Sequence, residues 1–256
     1  MTFPQSVLLP NVVNFTEMGP NRARLVVEPA YPGYGVTLGN ALRRVLLSSL
    51  PGAAIVAAKF HGVSHEFTVI EGVKEDVVDI VINLKKVKFT SFSAEPVKVK
   101  MKAKGVGVVT ASAIDTGGLC EVANPDQPIL TITDKTASVE AELTVTSGLG
   151  FVPVEAREKQ KLDIGEIAMD AWFSPVTRVG FDVEHVRVGE MVNFDRLTMD
   201  IETDGSLTPE DAVRKAARIL VDHFTQLAGE YAPHVESIMT TVGEVETPKA
   251  KKSKKA

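Results

Sequence analysis

The sequence predicts an α+β fold in which a strand-rich middle is inserted between two ends that each carry an amphipathic helix. Three observations predict it. A glycine-rich turn runs into a helical apolar stripe over residues 33–52. A second, capped stripe occupies residues 208–229. The stretch between them is dominated by period-two alternation punctuated by glycine and proline.

Taken in chain order, Arg24 to Glu28 and Ala53 to Phe60 read as strands flanking the first helix, with turn punctuation at Pro29, Pro32, Pro51 and Gly52. Between them Leu38, Ala41, Leu42, Val45, Leu46 and Leu50 recur at helical spacing. Thr37 is placed to cap the first turn, and Pro51-Gly52 ends the helix. Arg43 and Arg44 stand side by side at its middle, where long cations keep their stems on apolar surface and offer guanidinium groups to a partner carboxylate. That suits an assembly helix, against the plainer reading of a core helix with solvated arginines. The glycines Gly33, Gly35 and Gly39 are spaced G-x-G-x-x-x-G, without the dinucleotide spacing and without a Walker lysine. A nucleotide-binding enzyme using this loop stays open as a rival.

Val73, Val77, Ile80, Val81 and Leu84 mark a second helix ending in Lys85-Lys86, with Glu75, Asp76 and Asp79 on its solvated side. Val97, Val99, Met101 and Ala103 then alternate with Lys98, Lys100, Lys102 and Lys104, a half-buried strand with a lysine-bearing outer face. Strand patterns resume over Ser138 to Thr146, Val176 to Val188 and Leu197 to Glu202, with Gly148, Gly150, Pro153 and Gly189 as breaks. The last helix has Thr208 as cap, Pro209 at its first position and Asp211 reaching back. Its stripe is Val213, Ala216, Ala217, Leu220, Phe224 and Leu227, and Gly229 and Pro233 close it. Two such stripes can cross their twofold copies and bury a four-helix dimer core.

Composition bounds the function. A chain of 256 residues, 44% hydrophobic and 24% charged, buries a sizeable core. Its apolar runs are too short for a membrane span, and residues 1–10 lack the pattern of a secretory signal, so a cytoplasmic protein is expected. Cys120 is the only cysteine and reads as a packing residue. The net charge is -5, yet Lys249, Lys251, Lys252, Lys254 and Lys255 crowd the C-terminus, so the body is more acidic still. That tail is expected to be disordered and reads equally as a solubilising segment or as a weak, sequence-blind phosphate contact. A stand-alone basic-tailed DNA-binding protein is therefore a second rival. Catalytic chemistry is sparse. His61 and His65 stand four apart, but Gly62 and Val63 between them read as a turn, and there is no G-x-S-x-G elbow or zinc-hydrolase helix.

The run GYGVTLGNALRRVLLSSLPG resembles the signature of the N-terminal part of the bacterial-type DNA-directed RNA polymerase alpha subunits. So do HGVSHEFTVIEGVKEDVVDIVINLK (residues 61–85), GLGFVPVE (148–155), DAWFSPVTRVGFDVEHVRVG (170–189) and LTMDIETDGSLTPEDAV (197–213), in order and in register. The resemblance covers roughly residues 5–232. It implies a discontinuous dimerisation domain, residues 1–50 plus 172–234, with an inserted mainly-β domain, 51–171, that contacts large subunits. Residues 235–256 form the Lys-rich tail. It further implies homodimerisation through Leu38, Leu42, Val45, Leu46, Val213, Ala217, Leu220, Phe224 and Leu227. The dimer then scaffolds the beta and beta-prime subunits, with large-subunit contacts at Arg43, Arg44, Lys85, Ser174, Pro175, Val176 and Arg178. Cofactors are not expected in this chain; the magnesium and nucleotide substrates belong to the large subunits, and DNA is met through the complete enzyme. The compartment implied is a nucleoid-associated cytoplasm, or a plastid. After Tyr231 the sequence offers too little for the family's usual C-terminal DNA-binding domain, which is expected to be missing.

Overall fold

The computed structural model describes residues 7–63, 65–93, 95–157 and 165–229. β1 (Val12–Gly19) and β2 (Arg22–Ala30) form an antiparallel hairpin, and Ala23, Leu25 and Val27 of β2 turn inward. Helix α1 (Tyr34–Ser48) follows from Gly33, whose φ of 85° lies in the left-handed region that glycine tolerates. Thr37 is not the cap that its sequence position suggests. It lies within the first turn, where its Oγ1 donates to the Gly33 carbonyl at 3.2 Å, because Asp195 from the far end of the chain takes the free amides instead.

β3 (Pro51–Phe60) leaves α1 with six consecutive buried residues, Ala53 to Ala58, as expected of a strand covered on both faces. Helix α2 (Val77–Leu84) is shorter than its periodicity suggests. Val73 lies outside it, buried in a bridge to Ile132, because Asp76 starts the helix by accepting from the Asp79 amide at 2.8 Å. Glu75 is likewise not on a solvated helix face; it accepts from the Thr131 amide at 2.7 Å and hydroxyl at 2.9 Å. The strands β4 (Phe89–Ser91), β5 (Val97–Lys104), β6 (Gly107–Thr110), β7 (Ile114–Asp115), β8 (Cys120–Val122), β9 (Pro128–Ile132) and β10 (Ser138–Leu149) follow. A seven-stranded sheet runs β7-β5-β10-β3-β4-β8, with one further strand on β3. β5 alternates as its sequence predicts, with Lys98, Lys100, Lys102 and Lys104 outward. Cys120 is buried, and burial pushes its thiol pKa up.

Gly148, expected as a break, lies inside β10 because the Phe173 ring packs where its side chain would stand, 2.7 Å from an added Cβ. The break comes at Gly150, with φ 61°. β11 (Phe151–Val152), β12 (Glu166–Ala168) and β13 (Ala171–Trp172) finish the middle: β11 pairs β13, and β12 is the extra strand on β3. One charged row crosses five strands of this unit with alternating sign, Asp115, Lys100, Glu142, Lys59 and Glu166, each directly opposite the next. Opposite charges across a ladder favour this register, since a slip would face unlike pairs with apolar positions.

β14 (Val176–Val188) and β15 (Met191–Thr203) form a long hairpin turning at Gly189. β15 pairs with β2, so a four-stranded sheet runs β1-β2-β15-β14 from both ends of the chain. Helix α3 (Pro209–Leu227) is capped as the sequence predicts: Thr208 Oγ1 accepts from the Asp211 amide at 3.2 Å and donates to its carboxylate at 2.7 Å. Leu46 of α1, Leu50 just after it, and Ala212, Val213 and Ala216 of α3 are buried against Leu25, Leu197, Met199 and Ile201. A separate core lies in the middle segment, around Phe60, Ile80, Leu84, Phe89, Met101 and Leu143. The two units touch where Thr90 Oγ1 donates to the Ser206 carbonyl at 3.2 Å, and at the same junction Ser174 Oγ, where the chain re-enters the first unit, donates to the Leu47 carbonyl at 3.2 Å.

The junction sets a sharp steric limit at Gly52, where an added Cβ would stand 1.9 Å from the Phe173 carbonyl oxygen. Gly52→Ala is expected to cost about 3 kcal/mol or more in chemical denaturation, because backbone rather than a flexible side chain must move. Gly180→Ala, with nothing within 4 Å of the added Cβ, should change stability by only about 0.5 kcal/mol.

Candidate functional site

The glycine turn before α1 is an anion seat that the protein fills itself. The Gly33 and Gly35 amides donate to one carboxylate oxygen, Asp195 Oδ2, at 2.9 and 3.0 Å. His185 Nδ1, directly opposite on β14, lies 3.3 Å from Asp195 Oδ1, and the Asp195 side chain is only 3% exposed. A Cβ on Gly35 would stand 2.8 Å from Val183 and 2.9 Å from Asp195; one on Gly39 would stand 2.7 Å from the Phe181 ring. Each glycine is thus required by close packing of α1 on the β14–β15 hairpin. The amides that a phosphate would need are already engaged by a carboxylate, so the nucleotide-loop reading loses its geometric basis. Asp195 was missed from sequence because it lies 160 positions from the turn it serves.

The two apolar stripes are only partly used within the chain. On α1, Leu46 is wholly buried, while Leu38, Leu42 and Val45 are half-buried. On α3, Val213 is buried and Ala217 and Leu220 are half-buried, but Val221, Phe224 and Leu227 are 57%, 61% and 81% exposed. The C-terminal half of α3 therefore carries its stripe beyond the core it belongs to. Leu46 and Val213, by contrast, offer little or no free surface. Arg43 and Arg44 are exposed on α1 and form no ion pair with a described carboxylate.

Lys85, at the end of α2, is exposed and pairs with Asp170 at 2.9 Å, while the Val154 amide donates to the other Asp170 oxygen at 3.0 Å. The Lys85 hydrogen bond and then the Val154 amide hold the Asp170 carboxyl below its ordinary value. Beneath it Arg157 donates to the Val56 carbonyl at 3.3 Å and to the Met169 carbonyl, and burial lowers its pKa. Ser174, Pro175 and Val176 are buried; Ser174 Oγ ties the segment to α1 and to its own Val176 carbonyl. Arg178, by contrast, is exposed. Sequence reading overlooked the rings of Phe151 and Trp172, both 56% exposed with centroids 6.0 Å apart. A lone tryptophan in a strand-and-turn setting was the available signal. The lysines at 249, 251, 252, 254 and 255 lie outside the described residues.

Among the described residues, no group of three or more His, Cys, Asp or Glu could hold a metal ion. His65 Nδ1 is 3.2 Å from the Thr68 hydroxyl. No described helix is long and apolar enough to cross a membrane. The arrangement offers surfaces: an apolar helix pair, an arginine pair and a charged junction.

Residues 56–174 match the family described as the RNA polymerase Rpb3/RpoA insert domain. Among curated proteins, the chain is similar to the "DNA-directed RNA polymerase subunit alpha" of Roseiflexus sp. strain RS-1, 48% identical over 208 residues, covering 81% of this chain and 64% of that protein. The protein of the same name from Roseiflexus castenholzii is likewise 48% identical, with the same coverage. The chain thus spans 64%, less than two thirds, of the length of these relatives.

The Lys85–Asp170 pair makes a signed prediction. A carboxyl held below its ordinary value near 3.8 contributes stability above that value and loses it as pH falls through the lower, folded value. Asp170→Asn should therefore destabilise the protein by about 1 kcal/mol or less at pH 7, as expected for a partly exposed pair. Urea denaturation between pH 7 and pH 3 should show the two proteins converging below about pH 3.8.

Proposed function

The chain belongs to the family of RNA polymerase alpha subunits, and on that premise we propose that it is the assembly scaffold of a DNA-directed RNA polymerase. It forms a homodimer through α1 and α3, and the dimer gathers the beta and beta-prime subunits. The observation that carries this reading is the α3 stripe, whose Phe224 and Leu227 stand 61% and 81% exposed beyond their own core. Two copies crossing at that stripe bury it as a four-helix core, with Leu38, Leu42, Val45, Ala217 and Leu220 at its margin and Leu46 and Val213 supporting from below.

In this reading residues 1–50 with 172–234 are the dimerising part and 51–171 the insert that meets the large chains. Arg43 and Arg44, exposed and without a described carboxylate partner, face acidic groups on a larger subunit, joined by Lys85 and Arg178. Ser174, Pro175 and Val176 contribute by fixing the junction, being themselves covered. The subunit is non-catalytic; magnesium and nucleotides are handled by the larger subunits, and work proceeds in the cytoplasm at the nucleoid. The tail lysines add a sequence-blind contact to DNA phosphates.

Light scattering on the purified chain, alone and with its beta subunit, tests the scaffold. The wild type is expected to be a dimer that takes up one beta subunit, and Phe224→Asp to be monomeric. Arg44→Ala should remain a dimer but lose beta affinity by the roughly 2–5 kcal/mol typical of breaking one member of a desolvated charge pair. A stable monomer indifferent to beta would overturn the proposal. For the tail, removing residues 248–256 should flatten the log-log salt dependence of polymerase–DNA affinity by up to about 4.5, the slope of five phosphate contacts.

A further inference from the structure

The dimer reading leaves open what holds α1 in place to present its stripe. Most helices solve their N-terminal problem locally, with a Ser, Thr, Asp or Asn at the cap, as Thr208 does for α3 and Asp76 for α2. α1 has a glycine at that position, with no side-chain cap of its own. Its first amides instead converge on Asp195, a residue of β15. That carboxylate is 2% exposed as a residue and is approached on its other oxygen by His185 from β14. Tyr31 closes the end of the turn, edge to face against Tyr34 at 6.0 Å and Phe194 at 6.1 Å. The turn and the hairpin fit so closely that neither Gly35 nor Gly39 has room for a Cβ.

We infer that Asp195 is a positioning residue for dimerisation: its carboxylate serves as an internal anion that seats the first turn of α1 on the β14–β15 hairpin and so fixes the interface helix. This rests on the dimer reading given above. A carboxylate accepting two backbone amides at a helix N-terminus combines charge-assisted hydrogen bonds with the favourable end of the helix dipole. Without it, two amides lose their acceptor in a closely packed site, and the turn that leads into Leu38 and Leu42 loses its anchor. The seat is built for an anion rather than for aspartate in particular, which gives the inference a readout that a purely structural role lacks.

The experiment uses the full chain with Asp195→Ala and Asp195→Asn. Asp195→Ala is expected to raise the dimer dissociation constant in sedimentation equilibrium roughly three- to thirty-fold, the factor that matches loss of a helix cap. It should also speed amide exchange at Gly35, leaving Asp211 at the start of α3 unchanged. Adding formate should restore both quantities in Asp195→Ala and do nothing to the wild type. Asp195→Asn, which keeps an acceptor oxygen but not the charge, should fall between. Wild-type exchange and dimer affinity in Asp195→Ala would overturn the inference, as would a defect that formate leaves untouched. If Asp195→Ala does not fold, Asp195→Asn decides, and wild-type affinity with wild-type Gly35 exchange would overturn it. A wild-type chain that is monomeric, yet shows a protected Gly35 amide lost in Asp195→Ala, would overturn the dimer reading and the role in dimerisation with it, while leaving Asp195 as the anion that seats α1.

Discussion

Pairing of β2 with β15 is the constraint on which the rest of the structure depends. It joins residues 22–30 to residues 195–202, so both ends of the chain must enter one sheet. Once they do, Leu25 and Val27 share an inner face with Leu197, Met199 and Ile201, and that face needs a cover. α1 and α3 supply it from opposite ends of the sequence. The residues between α1 and β14, 49–175, then have nowhere to go but outward, where they form a sheet and core of their own. The insertion is thus a consequence of one long-range ladder.

The same ladder explains why α1 differs from the other two helices. α2 and α3 begin at residues whose side chains close their own first turns, so their starts depend on neighbours three positions away. α1 begins at a glycine turn that is complete only when β15 lies beside β2 and carries Asp195 to it. A helix capped from a distance is ordered only in the folded sheet, so cap formation and tertiary packing are one event. The close approach at Gly35 follows, since the Asp195 carboxylate reaches the Gly33 and Gly35 amides only if the first turn lies tightly against the hairpin.

The candidate interface was legible in its residue types and poorly legible in its exposure. The stripe over Val213, Ala217, Leu220, Phe224 and Leu227 reads as one continuous face, yet its first half covers the sheet and its second half does not. Periodicity reports which side of a helix is apolar and is silent on how far along the helix the core extends. Ser174, Pro175 and Val176 show the same limit, since a conspicuous motif beside an arginine proved to be covered by the junction. Lys85 was identifiable as a cation at a helix end, but not as a partner of Asp170. Phe151 and Trp172 become a surface pair only because β11 meets β13.

What the sequence determined by itself is therefore local: the existence and amphipathic face of three helices, the cap of α3, the alternation of β5, the turn at Gly189 and the α+β class. These depend on interactions within a few residues, whose geometry the helical and strand periods dictate. Tertiary structure alone decided the anion at α1, the partner of Glu75, the continuity of β10 through Gly148, and which half of α3 is left uncovered. Each of those is set by a partner tens to well over a hundred positions away or by the reach of a core. No local pattern of residue types carries the position of a group that arrives only when the chain has closed on itself.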